Sequence, residues 1–197
     1  MSSDDKIQIV AFSTNDSEQT PIDIINTFLE QQNHVVLKKT KSAVAFSTTL
    51  TNSSKTSRIM ICSILNLGRE YTGISDVNCY MVFVDLEKES SKEKFESIVS
   101  YVKDYCELSK KVFVLGMFNV KKTEETKNIK VINKDDIEKI LENSDIIYEY
   151  NEMDLSNIKV ITNSVMNILV YSSENSISGE EEAKEIEKNA SGSCYLF

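Results

Sequence analysis

The strongest constraint on the fold is a pair of nearly continuous apolar runs in the middle of the chain. The run from Cys79 to Leu86 reads CYMVFVDL, and the run from Lys111 to Met117 reads KVFVLGM. A strand with one solvent-facing side alternates apolar and polar residues, whereas a parallel strand covered on both faces is apolar throughout. The two runs therefore predict central strands of a mostly parallel sheet with helices on both faces.

Extended and amphipathic segments alternate along the rest of the chain, which is typical of an α/β fold. In the helical segment 92–108, the side chains predicted to point inward are Phe95, Ile98, Val99, Val102 and Tyr105. Thr20, Pro21 and Asp23 mark the start of the first helix as N-cap, first helical position and capping-box position. The predicted strands cover 6–12, 43–50, 58–65, 79–86, 111–117 and 145–150, and the predicted helices cover 21–32, 92–108, 135–142 and 157–171.

Charge and residue usage exclude several classes of function. The 197 residues carry a net charge of -9, which disfavours nucleic acid as a partner because its phosphates are bound through clustered Lys and Arg. The chain has one histidine, His34, and no C-x-x-C pair, so neither a metal site nor a Cys/His nucleophile is supported. We expect no catalytic residue, and we expect Cys62, Cys79 and Cys106 to be reduced core thiols.

The last four residues, Cys194 to Phe197, form a C-a-a-X prenylation signal, and the terminal Phe favours geranylgeranyl over farnesyl on Cys194. The alternative is an apolar end that folds back onto the protein. No apolar run is long enough for a membrane span, and no signal peptide or myristoylation glycine begins the chain. A single lipid on an acidic tail gives reversible anchoring, so we expect the protein on the cytoplasmic face of a membrane, exchanging with the cytosol.

This order of elements, with its C-terminal signal, resembles the Ras, Rho and Rab superfamily of small GTPases over residues 6–171 and the last four residues. The local similarities are Gly68-Arg69-Glu70, Asp85 followed by Ser90, Ser91 and Phe95, Val114-Leu115-Gly116, and Glu149. The resemblance implies a three-layer, P-loop NTPase-type fold with one antiparallel edge strand. It also implies a GTPase-like domain at 1–171, followed by a flexible acidic tail at 172–197.

The phosphate-binding motif of that family is degenerate in this chain. The pattern G-x-x-x-x-G-K-[ST] aligns with Ser13 to Thr20, so Ser13 and Glu18 replace the glycines, Gln19 replaces the lysine, and only Thr20 is retained. A phosphate-binding loop needs glycines to turn its backbone N–H groups inward and a lysine charge against the phosphates. The aligned loop therefore predicts the loss of phosphate binding.

The remaining nucleotide motifs are degenerate as well. The magnesium-supporting aspartate aligns with Leu65, and only Gly68 of that motif is retained. The guanine-specificity motif N-K-x-D begins at Met117 and ends at Val120, which replaces the carboxylate that reads the guanine edge. These substitutions predict a pseudo-GTPase with no catalytic residues and no cofactor. Gly68 and Gly116 are interpreted as glycines that serve backbone turns.

The leading hypothesis is a lipid-anchored adaptor or regulator in membrane trafficking or signalling that presents residues 35–75 to protein partners. The prenyltransferase and a prenyl-binding chaperone are further expected partners. A basic cluster, Lys38, Lys39, Lys41 and Arg58, is interpreted either as a contact for an acidic partner or as a strand edge protected by lysines.

The sequence leaves two alternatives open. The first is a divergent small GTPase that still binds GTP or GDP with Mg²⁺. The second is a prenylated trafficking module of another α/β type, for example longin-like, which requires an antiparallel sheet. Strand order separates the second alternative from the small-GTPase interpretations.

Overall fold

A computed structural model describes residues 5–15, 21–51, 56–64, 67, 76–120 and 130–175. These residues form seven strands and four helices around one sheet. The strands are β1 (Asp5–Ser13), β2 (His34–Lys39), β3 (Ala43–Thr49), β4 (Thr56–Ile64), β5 (Cys79–Asp85), β6 (Val112–Phe118) and β7 (Tyr148–Asp154). The helices are α1 (Pro21–Leu29), α2 (Ser90–Tyr105), α3 (Lys134–Glu142) and α4 (Ile158–Glu174).

The sheet has the order β2-β3-β4-β1-β5-β6-β7. All pairs from β4 to β7 are parallel, and the pairs β2–β3 and β3–β4 are antiparallel. Because β2 and β4 both run against β3, β3 alone opposes the direction of the other six strands. The mostly parallel sheet was predicted correctly, and an antiparallel sheet, which the longin-like alternative requires, is not what forms.

Helices cover both faces of the sheet, as predicted. Side chains of α1 and α4 share one core cluster with β1, β3 and β4, and those of α2 and α3 share a second cluster with the other face of β1, β5 and β6. Every residue of β5 is buried, because this strand lies at the centre of the sheet with helices above and below it. The apolar run at Cys79 to Asp85 is therefore explained by burial on both faces.

One detail of the predicted fold was wrong. A single antiparallel edge strand was expected, but β2 and β3 form an antiparallel hairpin, and β2 rather than β3 lies at the edge. The sequence HVVLKK gave no strand signal, because it is short and lacks the alternation that one buried face imposes. The basic residues Lys38 and Lys39 lie on this edge strand, as the second interpretation of the basic cluster proposed.

Two predictions about buried side chains also need correction. Tyr105, expected inside, is 58% exposed, and Tyr101 takes the buried place with its ring 5.9 Å from that of Phe12. Tyr105 is the last residue of α2 and stacks on the outer side of Tyr101, at 5.0 Å between ring centroids. None of the three described cysteines forms a disulfide, but only Cys79 is buried, and burial raises the pKa of its thiol to about 12. Cys62 and Cys106 are half-buried.

Candidate functional site

The strand order defines where a ligand site of this fold should lie. After β1 the chain builds the hairpin and β4 on one side of β1, and it then crosses to β5 on the other side. The helices that follow β1 and β5, α1 and α2, pack on opposite faces of the sheet. In open α/β sheets, ligands bind outside the carboxyl ends of the strands at such a reversal. We call the space between the carboxyl ends of β1 and β5 the switch-point crevice.

Backbone and side-chain groups of the protein join the two strands at this crevice. The N–H of Thr14 donates to the carbonyl oxygen of Phe83, at 3.0 Å. The N–H of Asp85 donates to the hydroxyl oxygen of Thr14, also at 3.0 Å, and Thr14 is only 2% exposed. The pairing of β1 with β5 thus continues past Ser13, the last residue of β1, and the Thr14 hydroxyl satisfies the buried amide of Asp85.

A lysine crosses the outer side of the same crevice. The Nζ atom of Lys88 donates to Oδ1 of Asn15, at 3.1 Å, and lies 3.4 Å from Oδ2 of Asp85. The other carboxylate oxygen of Asp85 accepts a hydrogen bond from the N–H of Glu87, at 3.0 Å. The positive charge of Lys88 at the crevice is therefore matched by a carboxylate. A phosphate placed here would compete with Asp85 for Lys88 and would be repelled by it.

The residues aligned with the guanine-specificity motif contribute to the core and to a turn. Met117 is buried in the core cluster that α1 and α4 cover. The N–H of Val120 donates to Oδ1 of Asp154, at 3.3 Å, and the N–H of Leu155 donates to the carbonyl oxygen of Phe118, at 2.8 Å. Asp154 also accepts hydrogen bonds from the N–H and the hydroxyl of Ser156. These groups connect the ends of β6 and β7 to each other.

A cluster of four side chains lies beside those strand ends. The Nζ atom of Lys130 lies 3.9 Å from the centroid of the Phe118 ring and forms an ion pair with Glu152. The hydroxyl of Tyr150 donates to the other carboxylate oxygen of Glu152, at 3.4 Å. Burial, together with the nearby Glu152 charge, raises the pKa of the Tyr150 hydroxyl. We call Phe118, Lys130, Tyr150 and Glu152 the Lys130 cluster.

Gly116 allows this cluster to pack. A Cβ atom at this position would lie 2.7 Å from the hydroxyl oxygen of Tyr150 and 2.9 Å from Cδ1 of Leu86. Gly116 is also an internal residue of β6, so the turn predicted for it was wrong. The close approach of Tyr150 explains why this position is a glycine. The neighbouring residues in the sequence do not indicate that approach.

The structure describes three of the eight motif positions that were singled out from the sequence. Ser13 ends β1 and accepts a hydrogen bond from the N–H of Asn15, at 3.0 Å, while Met117 and Val120 lie at the end of β6. Because β5 lies between β1 and β6, Ser13 is not on a strand that pairs with the strand of Met117. Cys194 lies outside the described residues. So do the other five aligned positions, which are Glu18, Gln19, Thr20, Leu65 and Gly68.

Thr14, Lys88 and Lys130 are among the residues of the site that were not singled out from the sequence. Lys130 follows a polar stretch and gave no signal. Thr14 and Lys88 act through contacts with residues far along the chain, 71 and 73 positions away. The one available signal was a threonine directly after the apolar run of β1, where a buried hydroxyl needs a partner.

Comparisons with known proteins add no assignment. No protein-family model matches the chain, and no curated protein shows a significant sequence match to it. In the described part of the chain, no helix has the length and apolar character to cross a membrane. The same residues contain no group of three or more His, Cys, Asp or Glu side chains arranged to hold a metal ion.

Proposed function

We propose that this protein is a lipid-anchored, non-catalytic adaptor or regulator built on a small-GTPase-like fold. In this proposal the protein's own groups occupy the place of the nucleotide. Cys194 carries a geranylgeranyl or farnesyl group and holds the protein on the cytoplasmic face of a membrane. Its activity there is the binding of protein partners in trafficking or signalling, and no cofactor is needed.

The observation that carries this proposal is the hydrogen bond between Thr14 and Asp85. A nucleotide site at the switch-point crevice needs open backbone N–H groups and an unmatched positive charge for the phosphates. Here the Asp85 N–H is used by Thr14, the Thr14 N–H is used by Phe83, and Lys88 is paired with Asp85. Within the described part of the crevice, a phosphate bound to these groups would therefore break existing contacts.

The ends of β6 and β7 support the same conclusion. A guanine base is read by a carboxylate at the end of the guanine-specificity motif, and Val120 stands at that position. Its N–H is already bonded to Asp154, and the Lys130 cluster lies beside the same strand ends. The mostly parallel sheet with helices on both faces agrees with the resemblance. The extra edge strand β2 lies outside the resemblance, which has a single antiparallel edge strand.

Thermal unfolding with and without ligand tests the proposed loss of nucleotide binding. A ligand that binds only the folded state at a hundred times its dissociation constant adds about 2.7 kcal/mol of stability. For a protein of this size, that raises the melting temperature by roughly 5–10 °C. We expect no rise with Mg²⁺ and GDP or GTP, whereas a rise of that size would favour the divergent GTPase that still binds nucleotide.

The lipid anchor is tested separately. Wild-type protein expressed in eukaryotic cells should carry the prenyl mass on Cys194 and divide between the membrane and soluble fractions. The Cys194→Ser variant should move to the soluble fraction, because one lipid chain without a basic stretch is the main attachment. Equal membrane retention of the variant and the wild type would show that the lipid does not anchor the protein.

A further inference from the structure

The edge strand β2 is exposed in an unusual way. Its five residues after His34 are all exposed, and three of them are consecutive apolar residues, Val35, Val36 and Leu37. Val35 is 62% exposed and Leu37 is 55% exposed. Soluble proteins seldom leave three consecutive apolar residues exposed unless the segment has a function. The backbone of β2 also turns half of its N–H and C=O groups away from β3, where they can pair with another strand.

The pairing of β2 with β3 assigns its side chains to the two faces of the sheet. Val35 pairs with Ser47 and Lys38 with Ala45, whereas Val36 pairs with Phe46 and Lys39 with Val44. Since Val44 and Phe46 belong to the core on the α1 and α4 side, Val36 and Lys39 lie on that face. Val35 and Lys38 lie on the opposite face. A bulge falls between Val36 and Lys38, so each face presents one valine followed by one lysine.

The charge of this edge is opposite to that of the whole protein. The segment 34–41 contains Lys38, Lys39 and Lys41 and no acidic residue, although the chain carries a net charge of -9. Within the described residues, these three lysines form no ion pair. Charged side chains and bulges protect an edge strand against unwanted pairing with other chains, and β2 has both. The run of three exposed apolar residues is not explained by protection.

We propose that the free edge of β2 binds an extended acidic and apolar segment of a partner protein, which adds to the sheet as an eighth strand. The partner runs antiparallel to β2, so its acidic residues come first and face Lys38 and Lys39. Its apolar residues follow and pack on Val35, Val36 and Leu37. Backbone hydrogen bonds supply affinity in this mode, and the lysines and apolar side chains select the partner. This inference rests on the proposed adaptor function and names the class of its partner.

Other occupants fit the edge less well. A second copy paired antiparallel through β2 would set the lysines of each strand against the first residues of the other strand, where no carboxylate would match their charge. The chain's own acidic segment 180–187 matches the lysines in charge, but within it only Ala183 and Ile186 are apolar. An anionic membrane would attract the lysines, but lipid offers no partner for the unpaired backbone groups of an edge strand. A partner strand satisfies the charge, the apolar side chains and the backbone together.

The test uses the full-length chain and a synthetic probe, the peptide DEDVTVTV with blocked ends. Titration is followed by NMR at the backbone amides of residues 35–39 and by hydrogen exchange of the same amides. We expect shifts and slowed exchange that are confined to β2 and its neighbour β3. A peptide with Lys in place of its acids, and one with alternate N-methylated amides, should bind at least about tenfold more weakly.

A pair of charge-reversal variants isolates the role of the lysines. Lys38→Glu with Lys39→Glu should weaken binding of the acidic peptide about tenfold or more, because two attractive contacts become repulsive. The matched control, Lys103→Glu with Lys159→Glu, makes the same charge change on the exposed surfaces of α2 and α4 and should leave affinity within about twofold. Both variants should keep the wild-type circular dichroism spectrum.

Several results would overturn the inference. Strand addition would be excluded if the peptide affinity were unchanged by N-methylation of the peptide or by charge reversal at Lys38 and Lys39. A dimer in sedimentation with protected β2 amides would identify a second copy, and protection that disappears on deleting 176–197 would identify the tail. Binding to phosphatidylserine vesicles that depends on Lys38 and Lys39, without peptide binding, would identify a membrane. Guanine nucleotide in the same preparation would contradict the proposed function without affecting the outcome at β2.

Discussion

The hydroxyl oxygen of Thr14 accepts a 3.0 Å hydrogen bond from the backbone N–H of Asp85, and the two residues lie 71 positions apart in the chain. This contact joins the carboxyl ends of β1 and β5 at the point where the sheet reverses its order of strands. An open α/β sheet normally offers that point to a ligand. In this protein, hydrogen bonds between the two strands occupy that point. The proposed loss of the nucleotide site depends on these contacts.

Replacing Thr14 by valine should destabilise the protein by about 1–3 kcal/mol. Valine keeps the shape of threonine but removes the acceptor, which leaves the Asp85 N–H buried without a partner. The matched control is Thr27→Val in α1, where the exposed hydroxyl donates to the carbonyl of Asp23, and there the change should stay within about 0.5 kcal/mol. Urea unfolding of both variants checks this, and equal stability of Thr14→Val and wild type would contradict the role of Thr14.

Replacing Gly116 by alanine should cost about 1–3 kcal/mol through overpacking. The new methyl group would lie 2.7 Å from the hydroxyl oxygen of Tyr150, so the ring must shift and the Lys130 cluster with it. Tyr150→Phe removes that oxygen, and the double variant should recover part of the loss. A double-mutant cycle by chemical denaturation measures the coupling, and strictly additive effects would show that Tyr150 does not restrict position 116.

The ion pair between Lys111 and Glu149 should make stability depend on pH. The hydrogen bond from Lys111, at 2.6 Å, lowers the pKa of Glu149 below its usual value of 4.5. A lowered folded-state pKa adds stability above pH 4.5, and that stability is lost as the pH falls through the lowered pKa. Because the Glu149 side chain is 45% exposed, the contribution is at most about 1 kcal/mol.

The Glu149→Gln variant isolates this contribution. Its free energy of unfolding should lie below that of the wild type at pH 7, and the difference should shrink as the pH falls below 4.5. Unfolding curves for both proteins at several pH values between neutral and acidic measure the difference. If it is the same at every pH, the ionisation of Glu149 does not contribute to stability.

Burial explains which parts of the fold could be predicted from the sequence. Cys79 to Asp85 is buried along its whole length, so its apolar run marked a central strand correctly. The start of α1 at Pro21 was also predicted, because proline favours the first helical position. By contrast, β2 is uncovered, and no buried face imposes a pattern on it. An edge strand of this kind becomes visible only when its partner β3 is in place.

For the candidate site, the sequence predicted only the loss of the nucleotide-binding residues. The residues aligned with nucleotide motifs could be read as substitutions one by one, and Met117 and Val120 are indeed used in the core and in a turn. The groups that occupy the crevice could not be predicted. Thr14 and Asp85 are joined by the register of β1 with β5, and no spacing rule connects residues so far apart in sequence.

The most direct test of the central claim is the nucleotide content of the full-length protein. Protein purified without added nucleotide is denatured, and the released guanine nucleotide is quantified by chromatography beside an active small GTPase prepared in the same way. We expect a folded protein that releases far less than one guanine nucleotide per chain. Release of close to one GDP or GTP per chain would contradict the proposed loss of nucleotide binding.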